Sequence, residues 1–251
     1  MTTKVLYEEL VPQEFRERVA ACPVAYLPLG TLEWHGEHLP IAADGIQSKG
    51  FFERLARDVG GVVLPMLFMG PDRVEETDEG VFYGMDIVRD KETNALIERN
   101  HLAGSAYWLP PELFKNYLEA IFFQLKRAGF KLVVAHGHGP STVLFEKHSR
   151  YSDEWQKKFG IEFLSCWNTE ASKQGYGVQC DHAAANETSL TWALRPELVQ
   201  LDRLPKGPDA KLVGIGGKDP RIFASKEMGE KIIALNLAEI GAQIRAILKK
   251  V

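Results

Sequence analysis

The sequence predicts an α/β protein: one three-layer domain with a mostly parallel sheet covered by helices on both faces. Three observations carry that expectation. Short apolar or β-branched runs alternate with helical patterns, those runs are bounded by Gly, Pro or charge, and the 251-residue chain ends in a long helical segment. Strand runs that are apolar throughout, rather than alternating with polar residues, are what a sheet buried on both faces requires.

Val24 to Leu29 reads as the first buried strand. Gln47 to Val59 then sets Phe51, Phe52, Leu55 and Ala56 at helical spacing, and Val62 to Met66 reads as the next strand. A second helix is expected over Glu112 to Ala128, with Leu113, Tyr117, Leu118, Ile121, Phe122 and Leu125 as its apolar residues and Gly129 as the C-terminal stop. Lys131 to Ala135 and Ile161 to Cys166 supply two further strands, and Ser225 to Lys250 the closing helix. The stretch from Gly70 to Pro111 breaks this alternation, being rich in charge, Gly and Pro and longer than an ordinary connection. It reads as an inserted lid or interface segment, with a solvated loop as the competing account. Its Arg73, Tyr83, Asp86 and Trp108, together with Trp34 and Trp167, are candidate substrate contacts. The domain is expected to span residues 1–251, with no internal repeat and no linker.

Charge narrows the partners. Thirty Lys and Arg against 34 Asp and Glu give a net charge of -4, and both signs are interspersed along the chain. That pattern excludes the basic surface that nucleic acid or an anionic membrane would demand. No apolar run approaches the roughly 18 residues of a membrane span. The N-terminal MTTKVLYEELVPQEF carries acids where a signal peptide needs a basic stretch, so a soluble, cytoplasmic protein is expected. Cys22, Cys166 and Cys180 form no CxxC, which argues against a zinc ribbon or a disulfide framework. The sequon Asn186-Glu187-Thr188 is read as a chance match, and neither a GxSxG elbow nor a P-loop is present.

The chemistry concentrates beyond strand ends, where open α/β sheets bind ligands. Glu33 and His35 flank Trp34 just after the first strand, so in extended backbone both point to one side. Asp44 can return to the same place after the turn at Pro40, where a carboxylate could bridge two divalent ions. Oxygen and nitrogen donors without cysteine suit zinc, manganese or iron. A second group, His136-Gly137-His138-Gly139, follows the strand Lys131 to Ala135, and one of its histidines is expected to complete the metal set. A third, Asp181-His182-Ala183-Ala184-Ala185-Asn186-Glu187-Thr188-Ser189, brings another imidazole and carboxylate to a helix start, where Asn186 or Thr188 could act as caps. Any one of these residues alone is more ordinarily a hydrogen-bonded structural group; it is their convergence that argues for a metal site. Glu37 and His38 are read as supporting residues, His101 and His148 as surface.

These residues also carry a family resemblance. The segment Gly30-Thr31-Leu32-Glu33-Trp34-His35-Gly36-Glu37-His38-Leu39-Pro40, followed by Asp44, resembles the creatininase family pattern. So do Gly137-His138-Gly139, His182-Ala183-Ala184 with Glu187-Thr188-Ser189, and the tail pieces Lys218-Asp219-Pro220 and Ala224-Ser225 before the closing helix. The resemblance implies a creatininase-like fold, a small-molecule substrate, a homo-oligomer, often a hexamer, and about two divalent metals per chain, zinc first and manganese or iron as alternatives. By carry-over, Glu33, His35, Asp44 and His138 become ligands, Asp44 the bridge and His182 the proton carrier. The implied reaction is hydrolysis of a cyclic amide or other non-peptide C–N bond by a hydroxide held between the metals. Two departures stand out: Pro140 lies where creatininase places a glutamate ligand, and Ser141 replaces an asparagine. Glu187 is the expected replacement ligand, with a share in catalysis. Two further readings follow, a C–C hydrolase opening a cyclic diketone such as a dehydro-inosose, and a non-catalytic metal- or ligand-binding module.

Overall fold

The computed structural model describes residues 3–89, 93–207 and 210–251. The first two residues of the acidic N-terminal stretch and residues 90–92 of the expected insertion lie outside that set. In chain order the elements are α1 (Pro12–Ala21), β1 (Val24–Leu29), α2 (Ala43–Val59) and β2 (Val62–Val63). Two hairpins follow, β3 (Val74–Thr77) with β4 (Gly80–Tyr83) and β5 (Ile87–Arg89) with β6 (Leu96–Arg99). The remainder comprises α3 (Pro111–Ala128), β7 (Leu132–Gly137), α4 (Gly139–Thr142), α5 (Arg150–Phe159), β8 (Glu162–Ser165), α6 (Glu170–Lys173), α7 (Ala185–Leu194), α8 (Pro220–Phe223) and α9 (Lys226–Leu248).

The main sheet is parallel throughout, in the order β2-β1-β7-β8. Alternate residues of its strands enter two separate cores, which is the period-2 geometry of a sheet covered on both sides. Val24, Tyr26, Leu132 and Val134 face Phe51, Phe52 and Leu55 of α2, Leu190 of α7 and Ile232, Ile240 and Ile244 of α9. Ala25, Leu27, Leu29, Val133 and Ala135 face Phe114, Leu118, Phe122 and Leu125 of α3 and Trp155 and Phe159 of α5. The expected three layers are therefore present. Among the described residues no helix is long and apolar enough to cross a membrane.

Several boundaries differ from the sequence reading. Strand β2 stops at Val63, because Pro65 has no amide to offer a ladder; the chain nonetheless stays beside β1 through the Leu64 and Leu67 amides, which donate to Tyr26 and Pro28 carbonyls. Helix α2 begins at Ala43, four residues early, so Asp44 lies in a first helical turn rather than in a free loop. The buried stripe of α3 is Phe114, Leu118, Phe122 and Leu125, whereas Leu113 and Tyr117 are exposed. The inserted segment is not a coil. It folds into the two hairpins, and Gly70 pairs with Trp108 where the segment leaves and rejoins the body.

Strand order reverses direction between β1 and β7: the chain leaves β1 for β2 on one side and reaches β7 on the other. At such a switch point the connections diverge and open a crevice beyond the strand ends. Gly137 closes the floor of that crevice. At φ +146° it packs so tightly that a Cβ would lie 1.6 Å from the Leu29 carbonyl oxygen, and only glycine allows His138 to emerge directly over β1.

Phe122 contacts Phe145, Trp155, Phe159 and Phe163 with ring centroids 4.9–6.0 Å apart. Phe122→Ala should therefore cost about 3–5 kcal/mol, read as a shift in the urea midpoint without change in slope.

Candidate metal centre

Beyond β1 and β7 lies an open cavity of about 920 Å³, whose walls include Glu33, Asp44, Asp72, His138, His182 and Glu187. Each ligand-type side chain reaches it by a local device. Glu33 and His35 follow β1, and the Glu33 amide donates to the Ile41 carbonyl, folding the chain back toward α2. Asp44 sits in the first turn of α2 and Glu187 in the first turn of α7, where the helix dipole favours a carboxylate. The cap of α7 is neither Asn186 nor Thr188. Asp181 takes the Asn186 and Glu187 amides at 2.8 and 3.1 Å, while Asn186 pins the preceding loop by donating to Gly175 and Gly177 carbonyls. Thr188 meets His38 Nε2 at 2.8 Å.

The structure brings together all five expected ligand residues and places Asp72 beside them. His35, Asp44 and Glu187 form one group, Glu33, His138 and Asp72 a second, and Glu33, His35 and His182 a third, with the ligand atoms of each group within 4.8 Å of one another. Asp44 stands between the first two groups: its Oδ1 lies 3.3 Å from His35 Nε2 and its Oδ2 3.0 Å from His138 Nδ1. Glu33 Oε2 lies 3.3 Å from His138 Nδ1, and Glu187 Oε2 3.6 Å from His35 Nε2. The His35 Nδ1–H donates to the Glu33 carbonyl at 3.0 Å, which leaves Nε2 as the free donor atom. Gln179 donates to Asp44 Oδ1 at 3.2 Å and holds that carboxylate in place.

The electrostatics fit a cation. Glu33, Asp44, Asp72 and Glu187 are buried or nearly so, and among the described residues no lysine or arginine forms an ion pair with any of them. Their counter-charge falls to the imidazoles. Burial would depress His35, but Asp44 and Glu187 raise it to about 10. Burial likewise works against the His138 proton, yet hydrogen bonds to Asp44 and Glu33 hold it well above the usual histidine range. Burial and the neighbouring charge of Glu33 push Asp72 up to about 6, and burial with Asp44 nearby holds Glu187 well above a normal glutamate. His138 Nε2 is buried without a hydrogen-bond partner. Crowded carboxylates, imidazoles and an orphaned ring nitrogen form a donor set that divalent metal satisfies.

His182 belongs to the third such group, with Glu33 and His35. Its Nε2–H donates to the Trp34 carbonyl at 2.8 Å, its Nδ1 faces Glu33 Oε2 at 4.0 Å, and its ring packs tilted by 33° against His35 with centroids 4.3 Å apart. Burial and the adjacent His35 lower its pKa. His136 stays out of the site. Its Nε2–H donates to the Val178 carbonyl, and burial lowers its pKa to about 4. His101 and His148 are exposed, as expected.

The expected substrate contacts divide. Trp167 and Arg73 line the cavity, but Arg73 spends its guanidinium on the Gly84 and Ile87 carbonyls and so braces the hairpins. Trp34, Tyr83, Asp86 and Trp108 do not line it. Trp34 turns its indole N–H to the Val213 carbonyl, Tyr83 packs against Trp108 at 5.7 Å, and buried Asp86 accepts the Tyr83 and Leu102 amides. Asp72 and Gln179 escaped the sequence reading. An aspartate after Gly-Pro looks like a turn residue, and a glutamine in a loop carries no ligand signature; the one available hint was that Asp72 follows a predicted strand.

Fold and site together define an α/β protein with a carboxylate–imidazole centre at a sheet switch point. A family model described as creatininase, creatinine amidohydrolase, matches residues 8–239, and the chain belongs to that family of hydrolases. Creatinine amidohydrolase of Pseudomonas putida is 27% identical over 277 residues, spanning 98% of each chain. The 3-dehydro-scyllo-inosose hydrolase of Thermotoga maritima is 24% identical over 219 residues, 82% of this chain and 62% of that protein. A crystal structure of creatinine amidohydrolase has a TM-score of 0.72 at 25% identity over 97% of both chains. A manganese creatininase gives 0.71 at 26% over 97% of this chain and 98% of that one; a Zn-Zn type creatininase variant gives 0.70 at 27% with the same coverage.

Asp181 supports the centre by capping α7. Asp181→Ala should lose about 1 kcal/mol of stability and, by freeing Glu187, weaken metal binding roughly 10–100-fold. Thermal unfolding and a metal titration on the same preparation check both.

Proposed function

We propose that this chain is a divalent-metal-dependent amidohydrolase that cleaves a C–N bond of a small cyclic amide. The observation that carries the reading is the buried set of carboxylates, none in an ion pair with a lysine or arginine among the described residues, gathered at the wall of an open cavity. Glu33, His35, Asp44, His138 and Glu187 would hold about two cations per chain, with Asp44 shared between them. Zinc, manganese or iron suits these N and O donors. When bound, such cations supply Lewis acidity toward a carbonyl and bring the ionisation of water close to neutral pH.

The chain's own residues supply the rest. His182 is partly exposed to the cavity and anchored through Nε2–H, so its Nδ1 faces Glu33. It can take a proton from attacking water and return it to the departing nitrogen, a general base that becomes a general acid. The tilted His35 ring and the Trp34 carbonyl fix its orientation. Glu187 is held by the Ala183 amide at 2.7 Å; its part in catalysis is to keep His35 and Asp44 in register. Trp167 offers a flat wall to a small ring. Phe68, Met69, Tyr107 and Trp108 are exposed on strands of chain that meet at Gly70, and they suit a contact between copies in a homo-oligomer.

The inosose hydrolase relative favours a second reading on the same site, attack on a cyclic diketone with cleavage of a C–C bond. Products separate the two: ammonia or an amine in one case, a ring-opened keto acid in the other. The deciding experiment assays metal-loaded protein against both substrate classes. His182→Ala should keep the wild-type metal content by elemental analysis while turnover falls roughly 10²–10⁴-fold. A fall in metal content instead would make His182 a ligand and remove its assigned role.

A further inference from the structure

Asp72 heads the inserted segment, two residues beyond the point where Gly70 pairs with Trp108. Its Oδ1 accepts the Arg73 amide at 2.7 Å, which orients the carboxylate and leaves Oδ2 facing His138 Nε2 at 3.7 Å. That nitrogen belongs to a side chain only 3% exposed and has no hydrogen-bond partner. Glu33 completes the group, all three ligand atoms lying within 4.8 Å of one another. Arg73, the nearest cation in sequence, turns away to the Gly84 and Ile87 carbonyls.

Gly84 makes room for this arrangement. At φ +45° its missing Cβ would lie 2.2 Å from Asp72 Oδ2 and 2.8 Å from Glu33 Oε1, so the turn after β4 is cut away where the two carboxylates approach. The Gly84 amide donates to the Arg73 carbonyl at 2.9 Å and locks that turn beside Asp72. Two carboxylates and an unpartnered imidazole nitrogen have thus been brought together by backbone shaped to admit them. A divalent cation would satisfy such a buried set of donors.

We propose that Asp72 is a metal ligand, joining Glu33 and His138 at the second of two divalent cations, while His35 and Glu187 hold the first and Asp44 is shared between them. The inference rests on the metal-dependent reading above and adds to it a ligand contributed by the inserted segment. The helix following His138 brings no carboxylate of its own, since residues 139–142 are Gly-Pro-Ser-Thr. Asp72 supplies the missing charge from across the crevice, and cation binding therefore ties the hairpins to the ends of β1 and β7.

The test titrates metal-stripped full-length protein with Co²⁺ alone, following the visible d–d bands and the bound equivalents after dialysis. Wild type should take up two equivalents. Asp72→Asn, which keeps the Arg73 hydrogen bond, should keep one tight equivalent and bind the second at least about tenfold more weakly, with altered bands for that equivalent only. Glu187→Gln should weaken the other. Two equivalents of unchanged affinity in Asp72→Asn would overturn the role of Asp72 and leave the metal reading intact, as would a single equivalent in wild type. No uptake by wild type would overturn both. Should Asp72→Asn fail to fold by far-UV circular dichroism, Asp72→Ser removes the charge without burying an amide and takes the same measurement.

Discussion

Four carboxylates crowd one crevice, none of them in an ion pair with a lysine or arginine among the described residues, and the body of the protein is arranged around that imbalance. Glu33, Asp44, Asp72 and Glu187 arrive on separate segments; amide hydrogen bonds hold Asp44, Asp72 and Glu187, and the His138 imidazole meets Glu33 and Asp44. Like charges brought this close repel, and burial magnifies the repulsion. The cost is met in part by helix dipoles, since Asp44 and Glu187 lie in first turns, and in part by protons held on His35 and His138. Such an arrangement trades stability for affinity toward a positive ligand, as functional sites commonly do.

The sheet makes the crowding geometrically exact enough to matter. Register between β1 and β7 sets Leu29 opposite Gly137, so the residues that follow the two strands emerge side by side. His138 then stands over the segment carrying Glu33 and His35, although more than a hundred residues separate them in the chain. The two aromatic and aliphatic cores on either face of the sheet hold that register, for slipping one strand by a residue would exchange its buried faces.

Much of this was legible in the sequence, and the reasons for the exceptions are physical. Strands β1, β7 and β8 and helices α3 and α9 announce themselves by apolar runs and helical spacing bounded by turn residues. The start of α2 does not, because Ala42 offers no capping side chain and the helix opens on Ala43-Asp44-Gly45, which reads as loop. The ligand types Glu33, His35, Asp44, His138 and Glu187 were visible because each follows a strand or opens a helix within a cluster of its kind. Asp86 and Asp72 show the limit of that reasoning. Both are aspartates in the same polar segment, yet one satisfies backbone amides and the other faces the cluster, a difference set by how the hairpins fold back and not by local composition. Gln179 could not have been anticipated, since its contribution is a hydrogen bond to Asp44 across 135 residues.

That sequence separation bears on how the molecule matures. The contributing side chains run from Glu33 to Glu187, and apart from Glu33 and His35 no two of them are sequence neighbours. A nascent chain still lacking α7 has no carboxylate at the Glu187 position, and a fragment ending before β7 also lacks His138. Any cation that recognises the full set therefore recognises the collapsed chain far better than the extended one, and its binding energy acts on the folded population through mass action. Uptake of such a cation would be a late event, reserved for molecules in which the segments from β1 to α7 have already met at the sheet.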